Sequence, residues 1–122
     1  MSSNPRPRAL VVDDDPVTRA FVADVLTASG YDAYTCVDGE SALGSFMRNA
    51  PFVLMVVDIL LPGIRGTQVV NLLRRASADL RVLYVSARAS SPALEPGDAF
   101  LAKPFTREAL NAEVKRIMAA GA

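Results

Sequence analysis

The 122-residue chain contains no histidine. That absence removes His-based zinc sites, Ser-His-Asp triads and any histidine general base. Cys36 is the only cysteine, which excludes an intramolecular disulfide and suits a reducing compartment. There is no excess of charge of either sign, with 13 basic against 13 acidic residues, so no basic footprint points to nucleic acid or an anionic membrane. Long hydrophobic runs are missing too. The longest, Phe52 to Val57, is far too short to span a bilayer, and no signal-peptide pattern opens the chain. A cytoplasmic, soluble domain is expected, and at 51% hydrophobic residues the chain suits a single core.

What the chain does have is "VVDDDP", Val11 to Pro16, with three carboxylates in a row between an apolar run and a proline. Adjacent negative charges repel by about 1 kcal/mol per pair at 4 Å even in water. Solvent, a helix N-terminus or a bound cation must make that placement tolerable.

Apolar periodicity organises the rest. Residues Met1 to Arg8 read as a polar tail, and residues 9–120 as one domain. Ala9–Val12 predicts a first strand, followed by a helix with Asp15 as N-cap, Pro16 at its first position and a stripe of Val17, Phe21, Val25 and Ala28 ending at Gly30. Ala33–Val37 is a weaker second strand. Asp38 caps a second helix carrying Ala42, Leu43, Phe46 and Met47. The run Phe52–Val57 fits a strand buried on both faces and ends on Asp58. A turn-rich segment, Leu61–Gly66, leads into a helix with Val69, Val70, Leu72 and Leu73. Val82–Val85 is a fourth strand ending on Ser86, and Phe100–Ala102 a fifth ending on Lys103-Pro104. Thr106 caps the last helix, with Ala109, Leu110, Val114, Ile117 and Met118 on one face. This alternation implies an α/β, doubly wound, five-stranded parallel sheet in the flavodoxin-like order 2-1-3-4-5.

In a parallel sheet the carboxyl ends of the strands open on one edge. Asp13 and Asp14, Asp58, Ser86 and Lys103 each follow a different strand, so the sequence gathers three carboxylates, a hydroxyl and an ammonium around one crevice. Carboxylates without His or Cys make a hard-oxygen site suited to Mg²⁺, which would also offset the repulsion in "DDD". Metal, ammonium and hydroxyl together suit the oxygens of a phosphoryl group in transfer, and a carboxylate can itself attack phosphorus. Taken singly, each residue has a plainer role: helix capping for Asp14 and Asp15, a strand end for Asp58, a turn for Ser86, a solvated charge for Lys103.

The pieces "LVVDDDP", "LMVVDILLPGIRG", "VLYVSA" and "FLAKPF", in that order, resemble the receiver domain of bacterial two-component response regulators over nearly the full length. The resemblance implies that Asp58 is the phosphoacceptor and that Mg²⁺ is held by Asp13, Asp14, Asp58 and the backbone carbonyl of Leu60. It makes Ser86 the switch hydroxyl, Lys103 the phosphate-binding lysine and Phe100 the switch aromatic, and it implies a cis Lys103–Pro104 bond. Leu60 and Arg88 would tune water access to the acyl phosphate. The implied partners are a cognate histidine kinase or histidine phosphotransfer protein and a downstream protein target, with no direct nucleic-acid or membrane contact. "LEPGDAFLAKPFTREAL" is especially similar to receivers of hybrid histidine kinases, and a stand-alone regulator or a phosphorelay shuttle are the other arrangements. One departure stands out. Only the sixteen residues from Ala87 to Ala102 separate Ser86 from Lys103, with Pro92 and Pro96 inside them. The fourth helix of the family is expected to be absent or reduced to a turn there.

Two other readings compete with a phosphoacceptor signalling domain that is not itself an enzyme. "VVDDDPV" also fits the D-x-D motif of haloacid-dehalogenase-type phosphatases, with Asp13 as nucleophile and Asp15 as acid-base. That reading leaves no room for a cap, finds no paired late acids around Asp98, and leaves Asp58 without a role. A degenerate receiver, kept for protein contacts without phosphorylation, is the other. A flavin-binding flavodoxin is disfavoured because the first loop presents carboxylates where a phosphate cradle needs hydroxyl and N–H donors.

Overall fold

A computed structural model describes residues 5–87 and 91–119. In chain order the elements are β1 (Arg8–Val12), α1 (Pro16–Ala28), β2 (Asp32–Cys36), α2 (Gly39–Asn49), β3 (Leu54–Asp58), α3 (Gly66–Ala76), β4 (Arg81–Ser86), β5 (Asp98–Ala102) and α4 (Arg107–Ala119). The strands form one parallel sheet in the order β2-β1-β3-β4-β5. Every residue of β3 is buried, which is why that strand reads as an unbroken apolar run with one acid at its end.

Side-chain alternation divides the interior into two layers. Leu10, Val12, Met55, Val57, Val82 and Tyr84 face α2 and α3. Val11, Leu54, Val56, Leu83 and Val85 face α1 and α4, where Val22, Leu26, Leu110 and Ile117 cover them. The phase of this alternation carries on past the strand ends. Asp13, Asp58 and Lys103 are in step with the residues facing α1 and α4, whereas Ser86 is in step with Tyr84 on the other face.

The helix starts follow their capping residues. The Asp15 carboxylate accepts from the backbone N–H of Val17 and Thr18 and, at 2.6 Å, from the Thr18 hydroxyl. Asp38 accepts from Ser41 N–H, and Thr106 Oγ1 from Ala109 N–H. The start of α3 is set by space: a Cβ on Gly66 would lie 2.2 Å from the Asp58 carbonyl oxygen. Only a glycine lets α3 close onto the end of β3, where Gly66 N–H bonds the Ile59 carbonyl.

Several sequence expectations shift. Val17 and Met47, assigned above to buried stripes, are 76% and 86% exposed. Val17 lies in the first turn of α1, ahead of the buried Val22, Val25 and Leu26. Leu72 is exposed as well, outside the Val69–Val70–Leu73 face that packs on the sheet. The polar segment before β1 is engaged over its last residues: Arg6 donates to the Thr27 and Gly30 carbonyls, and Pro7 O accepts from Asp32 N–H. A fourth helix is present in the chain as α4, and it follows β5. Between β4 and β5, where the family's fourth helix was expected to be missing or shortened, the described residues carry no helix.

The stretch before β5 is held by a buried ion pair. Both terminal nitrogens of Arg74, on α3, bond the two Asp98 oxygens, and Nη2 also donates to Leu80 O. Asp98 accepts further from Glu95 N–H at 3.0 Å, and Asp98 N–H returns a bond to Glu95 O. The pair holds the Arg74 pKa above its ordinary value through its hydrogen bonds to Asp98. Sequence reasoning missed this contact because nothing local connects residues 24 positions apart on a helix and a strand.

Candidate functional site at the carboxyl ends of the strands

Asp13, one residue past β1, is 2% exposed and held at several atoms. Its N–H bonds Cys36 O on the neighbouring strand, its Oδ1 accepts from Asp15 N–H at 3.0 Å, and its carbonyl accepts from Arg19 Nη1 at 2.9 Å. Asp58 ends β3, with Oδ1 accepting from Leu60 N–H at 2.9 Å and Oδ2 from Lys103 Nζ at 2.9 Å. Lys103 Nζ also lies 2.8 Å from Asp13 Oδ2, so one ammonium bridges the two acids across the sheet edge. That second contact is an ion pair by distance only. Asp13 Oδ2 is buried and not aligned to accept a hydrogen bond from any group.

Asp14 completes the cluster. It is exposed, and one carboxylate oxygen from each of Asp13, Asp14 and Asp58 lies within 4.8 Å of the others. The polypeptide brings these residues together because β1, β3 and β5 end on the same edge and Lys103 follows β5 directly. The Lys103 N–H donates to Ser86 O at 2.8 Å, and the Lys103–Pro104 bond is cis.

The electrostatics are unbalanced, with three carboxylates facing one ammonium. Burial pushes the Asp13 carboxyl up despite the opposing pull of Lys103 and of Asp15 N–H. For Lys103, burial alone would lower the ammonium's pKa, but the contacts with the Asp13 and Asp58 carboxylates outweigh it and the net shift is upward. An all-oxygen donor set with surplus negative charge and one buried carboxylate oxygen that accepts no hydrogen bond fits a hard divalent cation such as Mg²⁺.

The remaining predicted residues fall around this centre. Ser86 is fully buried at the end of β4, one position beyond Val85, which pairs with Asp58. Phe100 pairs with Tyr84 in register and packs, half-buried, against the layer facing α2 and α3; Ser86 and Phe100 therefore share one face of the sheet. Leu60 is 41% exposed at the rim, and its N–H rather than its carbonyl is what contacts Asp58. Arg88 lies outside the described residues. A cleft of about 450 Å³ adjoins Lys103, lined mainly by Val17, Thr18, Phe21, Ala87, Pro104 and Phe105. Arg19 was not singled out from the sequence, although its six-residue spacing from Asp13 across a helix start was visible there.

A doubly wound parallel sheet with an acidic pocket and a lysine at its strand ends defines a class of phosphoacceptor signalling domain. The chain belongs to the response regulator receiver domain family, whose pattern it matches over residues 9–115. It is 41% identical over 117 residues to the transcriptional regulatory protein PrrA of Mycobacterium tuberculosis, a match covering 92% of this chain and 50% of PrrA. The chain thus spans about half the length of the curated relatives it matches. Among solved structures it is similar to the receiver domain of the hybrid histidine kinase CckA, with a TM-score of 0.80 and 31% identity over 91% of this chain and 98% of that one. It is also similar to the response regulator TrrA of Thermotoga maritima in complex with Mg(2+)-BeF, with a TM-score of 0.78 and 30% identity over 91% and 98% of the two chains. No helix among the described residues is long and apolar enough to cross a membrane.

Proposed function

We propose that Asp58 accepts a phosphoryl group from a phosphohistidine on a cognate histidine kinase or histidine phosphotransfer protein. The donor histidine lies outside this sequence, which contains none. An Asp58 oxygen forms its bond to phosphorus as the phosphorus–nitrogen bond breaks, and the electron pair leaves with the imidazole. Small donors such as acetyl phosphate would serve the same chemistry.

Asp13, Asp14 and Asp58, with the Leu60 backbone carbonyl, would hold Mg²⁺. When bound, the ion supplies positive charge against the equatorial phosphoryl oxygens and the clustered carboxylates. Lys103, now shared between Asp13 and Asp58, would turn to the phosphoryl oxygens. The Ser86 hydroxyl would be drawn to the new anion, and Phe100, on the same face, would move into the space vacated. That is a population shift driven by contacts the phosphoryl group makes in one packing and not in the other. The first turn of α1 and the cleft beside Lys103 would offer the partner an apolar surface close to the ammonium that bridges Asp13 and Asp58. This domain's own contacts are taken to be with proteins, since its sequence carries no net positive charge with which to bind nucleic acid.

The observation that carries this reading is the surplus of carboxylate at the strand ends, where Asp13, Asp14 and Asp58 share the single ammonium of Lys103. Intact-mass spectrometry after treatment with acetyl phosphate and Mg²⁺ tests it. A single phosphoryl adduct is expected in the native chain and none in Asp58→Asn or in chelator. An adduct that persists in Asp58→Asn and disappears in Asp13→Asn would overturn the reading in favour of a phosphatase-type nucleophile.

A further inference from the structure

Asp14 differs from its two companions in one respect. Asp13 is held by Cys36 O, Asp15 N–H and Arg19, and Asp58 by Leu60 N–H and Lys103. No hydrogen bond or ion pair among the described residues holds the Asp14 carboxylate, which is exposed. Yet its oxygen lies with the other two within 4.8 Å. What places it must therefore act through the backbone. The Asp13 carbonyl and the Asp14 N–H belong to one planar peptide, so fixing that carbonyl fixes the plane from which Asp14 departs. The group that fixes it is Arg19, whose Nη1 reaches back from the second turn of α1 to Asp13 O at 2.9 Å. Arg19 is itself seated by the helix, its N–H bonding Asp15 O at 2.9 Å.

We propose that Arg19 is a positioning residue for the cation site: it locks the Asp13–Asp14 peptide so that the otherwise unsupported Asp14 carboxylate is presented to the metal. This inference rests on the reading of the acidic cluster as a Mg²⁺ site and names a residue that acts on it without touching it. Two effects of Arg19 have opposite signs. As a positive charge near three carboxylates it would repel a cation, and its removal would tighten binding. As a positioning group it pre-organises a ligand, and its removal loosens binding. The geometry makes the second effect dominant, because Nη1 is spent on a neutral carbonyl and the guanidinium makes no ion pair with any of the three acids.

The test is isothermal titration calorimetry of Mg²⁺ alone into the native chain, Asp14→Ala, Arg19→Gln and Arg19→Lys. Initial rates of acetyl phosphate transfer are measured in parallel as a function of Mg²⁺. Arg19→Gln is expected to weaken Mg²⁺ binding by about tenfold, as loss of an outer-shell partner does. Its transfer rate should return close to the native value at saturating Mg²⁺, which a generally damaged fold would not allow. Arg19→Lys, which keeps the charge and one donor, should recover most of the affinity. Unchanged or tighter Mg²⁺ binding in Arg19→Gln would overturn the proposal, as would a transfer rate that stays low at saturation. If Asp14→Ala binds Mg²⁺ as the native chain does, the cluster reading itself fails; if Asp14→Ala alone loses binding, only the role of Arg19 falls.

Discussion

Two carboxylate–cation clusters sit at opposite ends of the same sheet, and they are built to different standards. At the amino end of β5, Asp98 has one guanidinium bonded to both of its oxygens and a backbone N–H besides, so both oxygens are hydrogen-bonded. At the carboxyl ends of β1, β3 and β5, three carboxylates share a single ammonium, one buried oxygen has no hydrogen bond, and one carboxylate has no side-chain partner. A satisfied buried ion pair fixes a shape; an unsatisfied one stores affinity for something else. The first pins the start of β5 to the end of α3, across a stretch where the described residues supply no helix between β4 and β5. The second is the cluster proposed to take a cation and a phosphoryl group.

Breaking the satisfied cluster should have the larger effect on stability. Arg74→Met keeps the aliphatic packing but leaves Asp98, whose side chain is fully buried, without a counter-charge. A loss of about 3 kcal/mol in urea unfolding is expected, at the low end for a broken buried pair because Arg74 retains some solvent contact. A loss below about 1 kcal/mol would mean that the clamp is no more than a surface pair.

The unsatisfied cluster should respond in the opposite direction. Burial raises the Asp13 carboxyl above its ordinary 3.8. Its contribution to the metal-free fold is therefore complete below 3.8 and is lost as pH rises through the higher folded value. Asp13→Asn removes that loss, so the metal-free variant should gain on the native chain across this window and stay ahead at neutral pH. Thermal unfolding in chelator from pH 3 to pH 8 reads the difference; a variant less stable than the native chain throughout would contradict it. The bridging Lys103 acts at the far end of the scale: its raised pKa gives stability that is present below 10.5 and lost as pH rises through the folded value.

The smallest effect should come from an acid outside both clusters. Asp38 is a half-buried N-cap whose pKa is lowered by its hydrogen bonds to Ser41. Its contribution is present above 3.8 and fades as pH falls through the lower folded value, and it should be insensitive to Mg²⁺. Comparing Asp38→Ala with the native chain at pH 7 and at pH 2, with and without Mg²⁺, checks both points.

The contrast also explains what could be read from the chain. Asp13, Asp58, Ser86 and Lys103 were legible because each closes an apolar run, and a parallel sheet turns that pattern into one edge. The capping roles of Asp15, Asp38 and Thr106 were equally local. Asp98 was not legible, since its partner lies on a helix face that in sequence looks like any basic turn. Val17 and Met47 fit an apolar stripe by spacing, but periodicity does not separate the buried face of a helix from its margin: Phe46 is buried and the adjacent Met47 is exposed. Arg19 and the Asp13 carbonyl escaped because the contact is to the backbone, which every residue offers.

Ligand linkage separates the two clusters most directly. Thermal unfolding of the native chain, Asp13→Asn and Arg74→Met would be measured with and without saturating Mg²⁺. Mg²⁺ at a hundredfold over its Kd should stabilise the native chain by about 2.7 kcal/mol. The account predicts that Arg74→Met starts lower and keeps the whole Mg²⁺ increment, while Asp13→Asn starts no lower and loses most of it. Equal increments in the two variants would contradict the division of labour between the satisfied and the unsatisfied end of the sheet.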